Sequence, residues 1–355
     1  TLKAADSITI RGKNNKFKVS KGVTFAADLT LEANSSLDFE FDDLQTAPYV
    51  SFSSLANISI GAGAQLNFSG NGTVIMENSS KMTLATKSKI NVANSAVFTV
   101  DPSATSIIDG TGDFVCKDGG KILLDSDSTL ALGNAKDDQV DLTCKRGGGI
   151  DVEIAGSGSG NARLCLGKGK HNLSVVESGY FRVGNKGIAE FAQSNGSPSE
   201  GSLDSFKTGS NGFFLVDDGG KAEFTTNQNS ETVNWDSRGG WVRGKGKISF
   251  KDRATNSTLF EGKLSATKDE IYFNNSAMDV KALAEKMIQK DATLQQVTRF
   301  DDESGNEVVL TKENAKVSLG ANESFVREEA DGGIVTFDSG EFTQKRYGPS
   351  GARRQ

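Results

Sequence analysis

The sequence predicts an all-β fold, a β-solenoid or β-helix rod carrying a small α+β domain at its C-terminal end. Three observations lead there. Between Ala56 and Leu132, apolar doublets recur about every eight residues, each with one small or polar residue between its members. The intervals are made of Gly, Asn, Ser, Asp and Lys, residues that tolerate or favour tight turns. Glycine is abundant (40) and proline scarce (4), which allows many corners while backbone donors are retained.

The doublets are Ile58/Ile60, Leu66/Phe68, Val74/Met76, Met82/Leu84, Ile90/Val92, Phe98/Val100, Phe114/Cys116, Ile122/Leu124 and Leu130/Leu132, with a ragged step through Ile107 and Ile108. Alternation with period two marks a strand with one buried face. Strands this short bury nothing alone and must stack on copies of themselves. The competing architecture is a sandwich, whose strands usually run about five or six residues with turn signals every 8–12. The constant short spacing favours the solenoid. It leaves open whether one chain coils on itself or three chains wind into an intertwined trimeric β-prism. Three eight-residue sides per turn would advance about 24 residues by roughly 4.8 Å, so Ile8 to Phe273 would give about eleven rungs.

A compact chain of 355 residues would usually divide into domains, a limit that a solenoid escapes because each rung needs only its neighbours. The apolar fraction of 36% suits a thin rod with a high surface-to-core ratio. The net charge of −6, with both signs interspersed, gives no nucleic-acid footprint, and no 18-residue apolar run exists to enter a membrane. The run Thr1 to Asp6 lacks the apolar core of an export signal, which fits synthesis in a bacterial cytosol or a mature fragment. Cys116, Cys144 and Cys165 have no close pairing motif, and Cys116 fills an inward slot.

In chain order, residues 1–50 alternate more loosely and read as a cap or attachment segment, closed by Asp42-Asp43 and Ala47-Pro48. Residues 51–192 are the solenoid, in which Gly147-Gly148-Gly149 and the Gly/Ser run 156–160 mark wide corners. Residues 193–212 are poor in apolar side chains and read as a loop or hinge, and 213–273 resume the strands. A helix is expected after Asn275 or Ser276. There Val280, Leu283, Ala284, Met287 and Ile288 share one face, while Asp279 and Lys290 suit the helix dipole. Residues 274–355 form the α+β end domain, whose basic tail of Lys345, Arg346, Arg353 and Arg354 is either solvated or a docking strap.

Catalytic constellations are weak. A single histidine, His171, excludes a multi-histidine metal site and argues against a catalytic triad; it reads as structural, in a corner. The run 239–246 has the glycine-to-lysine spacing of a phosphate loop but lacks the following Ser or Thr and any βαβ context. Asp125 to Ser128 begins like a calcium loop and then fails at Leu130 and Lys136. Polysaccharide hydrolysis would need two carboxyls about 5–10 Å apart. The acid pairs Asp109/Asp113, Asp125/Asp127, Asp137/Asp138 and Asp217/Asp218 all stand where turns favour Asp. The aromatic residues are 21 Phe, 4 Tyr and 2 Trp, a core-like set. Trp235 and Trp241, beside Arg238 and Arg243, are the exception and the candidate sugar or partner contact. No catalytic residue, cofactor or metal is expected.

The repeat from Ile58 to Leu132, the Ser/Gly break near Pro198 and the separate end after Asn274 together resemble the β-solenoid fibre, spike and appendage proteins of bacteriophage tails. The resemblance is architectural. It implies a structural virion protein (a tail fibre, tail appendage or sheath-like element) that assembles as a homotrimer or ring of copies with other tail proteins and meets a host surface glycan or receptor. Secreted adhesins of the autotransporter type resemble the chain nearly as well, which would place it outside the cell. A polysaccharide-degrading tailspike is the enzymatic alternative.

Overall fold

In the computed structural model the described residues are 7–42, 47–54, 56–125, 127–153, 161–191, 201–209, 211–226, 232–236, 240–255 and 257–264, together with 278–279, 281, 284 and six strands between 297 and 343. The alternating doublets form strands, and the strands of one chain coil into a three-sided parallel β-solenoid. Ile58 lies beside Met82, Leu66 beside Ile90 and Val74 beside Phe98, each residue meeting its counterpart three doublets further on. Three eight-residue sides therefore make one turn. Every parallel pair is formed within this chain, which answers the open alternative: the rod is a single-chain coil and not an intertwined prism.

Face one runs from Ile8–Ile10 through Leu29–Leu31, Asn57–Ile60 and Thr129–Leu132 to Lys247–Lys251. Face two runs from Asn15–Val19 through Ser36–Phe41, Gln65–Ser69, Gln139–Lys145 and Gly169–Val175 to Trp235–Asp236. Face three is a nine-stranded sheet from Val23–Phe25 and Tyr49–Phe52 through Thr73–Met76, Val97–Val100 and Lys121–Leu124 to Trp241–Gly244. Strands Lys81–Ala93 and Thr105–Lys117 continue around the corner and so serve both face one and face two. Nine strands at about 4.8 Å make face three roughly 40 Å long. Fewer turns are present than the eleven expected because later turns lengthen. Phe114 meets Leu142, Leu142 meets Leu173 and Phe181 meets Phe214, each a longer step along the chain than Ile58 to Met82.

The ragged step also has a local cause. Met82 pairs with Ile108, again a longer step than Ile58 to Met82, so Ser106 and Ile108, rather than Ile107 and Ile108, point inward. The buried Ser106 hydroxyl is satisfied by Ser80 Oγ at 3.1 Å and the Glu77 carbonyl at 3.0 Å.

Most inward slots are filled with apolar side chains, and Phe68, Phe98, Phe114, Phe181, Phe224 and Phe250 are all essentially inaccessible. Rings stack turn upon turn: Phe39 on Phe68 at 5.4 Å, Phe191 on Phe224 at 4.6 Å and Phe224 on Phe250 at 5.8 Å. Each such pair adds about 0.5–1.5 kcal/mol beyond its burial.

The boundaries expected at 50 and 193–212 do not interrupt the ladder. Leu29 pairs with Ile58 and Val50 with Val74, so the strands from Ile8–Ile10 to Tyr49–Phe52 belong to turns of the coil and not to a separate cap. Gly201–Thr208 pairs along Gly169–Val175, so the latter half of the supposed hinge is a strand, while residues 192–200 lie outside the described residues. The parallel stack ends where Thr258–Lys263 runs back antiparallel to Lys247–Lys251, with Leu259 and Phe260 against the core. A strand added in this way covers the last open edge.

At the expected helix, Met278–Asp279 instead pairs antiparallel with Thr232–Val233, which pushes any helical start past Asp279. Lys281 and Ala284 have helical backbone, and the other positions of that helix lie outside the described residues. Further on, antiparallel pairs join Val297–Asp301 to Glu307–Thr311, Lys316–Leu319 to Gly340–Thr343, and Phe325–Glu328 to Ile334–Phe337. Among the described residues no helix is long and apolar enough to cross a membrane.

The corner from face two to face three is one repeated device. Asn94-Ser95, Asp118-Gly119, Arg146-Gly147 and Glu177-Ser178 all have positive φ, the signature of a type I′ turn. Each turn is closed by the hydrogen bond from the fourth residue to the first, as from Gly148 N to the Lys145 carbonyl at 3.0 Å. A Cβ on Gly148 would collide with the backbone of Cys116 and Lys117 in the turn below, whereas Gly147 has open space. Gly148→Ala is therefore expected to cost about 3 kcal/mol through backbone displacement. Gly147→Ala should cost about 1–2 kcal/mol, for the left-handed conformation alone. Urea titrations of the two variants measure the order.

Candidate functional site: the solvent faces and the buried polar groups

Sequence reasoning marked Trp235, Trp241, Arg238 and Arg243 as one contact cluster, and the coil separates Trp235 from the Trp241–Arg243 pair. Trp235 lies on face two pointing inward, 1% exposed, at 4.7 Å from Phe206 and 5.0 Å from Phe224, with its indole N–H donating to Thr208 Oγ1 at 3.3 Å. It is a core residue and not a contact residue. Its spacing after Val233 gave the clue, because doublet members two apart share the inward face. Trp241 alternates with the inward Val242 and so lies on the outer side of face three. There it stacks on Phe213 at 5.6 Å and under the Arg243 guanidinium at 4.0 Å, a cation–π contact. Arg238 and the tail residues Lys345, Arg346, Arg353 and Arg354 lie outside the described residues.

Five of the acid-pair residues, Asp109, Asp113, Asp138, Asp217 and Asp218, have partners of their own. Asp109 is bound by Lys81 at 2.7 Å on face one and Asp113 by Lys89 at 2.8 Å on face two. Asp138 accepts from the Asn134 and Ala135 amides at 2.6 and 2.8 Å, closing a turn. Asp217 accepts from Arg182 Nε at 2.6 Å, and Asp218 lies 3.4 Å from Lys263. Asp125 and Asp127 flank a corner whose buried Ser128 hydroxyl accepts from the Asp125 amide at 3.0 Å. The carboxylates of Asp109, Asp113, Asp138, Asp217 and Asp218 thus tie corners and neighbouring turns together. Among the described residues no group of three or more His, Cys, Asp or Glu could hold a metal ion. The phosphate-loop-like run passes through a corner into strand Trp241–Gly244 and then strand Lys247–Lys251, a path with no helix to receive a phosphate.

Sequence reasoning missed the ladders of identical chemistry on the outer surface. Asn91 donates to Asn67 Oδ1 at 2.7 Å, and Asn67 donates to Asp38 at 2.6 Å. Asp141, Asn172 and Ser205 form a second such column, at 2.9 and 2.7 Å. Near the C-terminal end of the coil, Glu223 binds Lys221 at 2.8 Å and Lys251 at 3.0 Å. Burial alone would raise the Glu223 carboxyl, but the hydrogen bonds and positive charges of Lys221 and Lys251 together outweigh it and hold the carboxyl below its ordinary range. The signal for these ladders was available only in two dimensions, since all these partners except Lys221 and Glu223 lie a full turn apart.

The three thiols are shielded. Cys116 and Cys144 occupy the same inward column, directly paired, and burial raises the Cys144 thiol well above its ordinary value. Cys165 points outward beneath Glu190, donating to it at 3.1 Å, and burial together with that carboxylate raises it as well.

His171 is not in a corner. It fills an inward slot of strand Gly169–Val175, fully buried. The Val140 amide donates to Nδ1 at 3.2 Å, and Nε2–H donates to the Lys168 carbonyl at 3.0 Å, so the neutral ring is fully used. Burial lowers its proton affinity against the opposing pull of the Lys168 and Val140 carbonyls, Asp138 and Asp141. A depressed folded-state value means that stability is complete above the unfolded histidine range near 6.5 and is lost as pH falls below it. The pH 7-to-5 drop in urea midpoint should therefore be smaller in His171→Gln than in the native chain.

No protein-family model and no curated protein matches this chain. Among solved structures, the TibC-catalysed hyper-glycosylated TibA fragment aligns with 67% of this chain and 97% of its own length. At 13% identity and a TM-score of 0.16, that likeness carries no argument.

Proposed function

We propose that this chain is a non-enzymatic structural protein, a stiff rod that spaces or presents what is attached to its ends. The observation that supports it is the continuous parallel ladder from Ile8 to Lys251, filled inward by apolar side chains and tied outward by turn-to-turn hydrogen bonds and ion pairs. Bending such a rod requires breaking several ladders at once. Asp109, Asp113, Asp138 and Asp217 are each committed to a separate bond, which argues against their pairs being poised across a sugar bond. The reading extends to a tail fibre, tail appendage or sheath-like element of a bacteriophage virion, working as several copies with other tail proteins and meeting a host glycan or receptor.

Negative-stain imaging with mass measurement, alongside reducing-sugar release from host polysaccharides, tests the reading. Straight rods and no sustained release are expected. Sustained turnover abolished by one substitution, such as Asp109→Asn, would overturn it. Antibody labelling should decorate virion tails; labelling confined to bacterial surfaces would move the assignment to an adhesin.

A further inference from the structure

The three outer faces differ in chemistry. On faces one and two, outward charges are matched across neighbouring turns, as in Lys16–Glu40 at 2.6 Å, Lys81–Asp109 at 2.7 Å and Lys89–Asp113 at 2.8 Å. On face three, the four consecutive strands Tyr49–Phe52, Thr73–Met76, Val97–Val100 and Lys121–Leu124 carry one charge, Lys121. Their outward positions include Tyr49, Ile75, Val97 and Leu123, separated by Thr73 and Thr99 in adjacent register. Ile75, Val97 and Leu123 are partly exposed, and Tyr49, at 40%, is the one large hydrophobic residue that stands exposed among the described residues.

We propose that this stretch of face three is a self-association surface, and that its occupant is the same face of a second copy. Two flat sheet faces can lie about 10 Å apart with interdigitated side chains. A partner covering a patch with so little charge must itself be nearly uncharged there, since a charge buried without its partner is costly. The chain carries such a patch on this face, where the Lys121–Asp151 pair and the Glu77 carboxylate bound by Ser51 lie only at its margins, whereas faces one and two could stack on it only by desolvating several ion pairs. A contact between identical patches closes as a twofold dimer.

Size sets the strength. Four strands at about 4.8 Å by four residues at about 3.3 Å give a footprint of roughly 250 Å², and the full nine-strand face roughly 550 Å². Both are below the ~800 Å² per partner of a stable interface. The dimer is therefore weak for free chains and persists where copies are held side by side, since tethering supplies an effective concentration in the mM range. This inference is independent of whether the rod belongs to a virion.

Sedimentation velocity of the full chain across a wide concentration range, with Ile75→Lys, Ile75→Glu and the face-one control Thr83→Lys, tests it. The native chain and the control should gain mass with concentration. Each Ile75 variant alone should stay monomeric, its dissociation constant raised at least about tenfold by like charges. An equimolar mixture of the two should associate again, which excludes misfolding as the cause. A native chain that stays monomeric throughout, Ile75 variants that associate like the native chain, a mixture that fails to recover, or equal loss in Thr83→Lys would each overturn the proposal.

Discussion

The coil depends on one constraint: every inward side chain must sit on the inward side chain of the turn below. Parallel strands with a backbone spacing of about 4.8 Å place residues of equal register in contact, so each column must hold groups that pack on one another. Columns such as Phe39–Phe68 and Phe224–Phe250 satisfy this with rings, Cys116–Cys144 with small thiols, and Ser80–Ser106 with paired hydroxyls. His171 meets the same demand with hydrogen bonds to two backbone groups. A polar group is accepted inside wherever the backbone or the neighbouring turn supplies its partner.

This constraint explains what could be read from the chain. Between Ile58 and Leu132 most sides have the same length, so one-dimensional spacing and three-dimensional register coincide and the three-sided coil is legible. Beyond Leu132 the stretches of sequence between successive strands lengthen, most of all before Arg163 and Gly201. The steps from Phe114 to Leu142, Leu142 to Leu173 and Phe181 to Phe214 lengthen in that order. The doublets survive but the period does not, and the apparent hinge at Gly201–Thr208 was a strand with sparse apolar side chains. Trp235 misled for a related reason. Tryptophan near arginine reads as a contact, yet its register with Phe206 and its stacking on Phe224 assign it to the core.

Corners and outer faces were less legible because their logic runs across turns. The type I′ corners use residues as different as Asn94-Ser95, Arg146-Gly147 and Glu177-Ser178, so no single dipeptide announces them. The ladder Asp38–Asn67–Asn91 joins residues a full turn apart and appears in sequence as three isolated polar residues. Acid pairs that looked catalytic in one dimension are divided between faces in three, as Asp109 and Asp113 show.

A rod made this way has an axis along which distance is counted in turns, and that property can be measured directly. Asn57, Lys81, Ile107, Ala131, Cys165 and Glu190 follow one another in direct register up the outer side of face one. Spin labels at Asn57 with Ile107, Ala131 or Glu190 in turn therefore lie two, three and five turns apart. Dipolar spectroscopy on the doubly labelled chains should give backbone separations of about 10 Å, about 14 Å and about 24 Å, rising linearly with the number of turns. Separations that level off or fall with sequence distance would contradict the stacked coil.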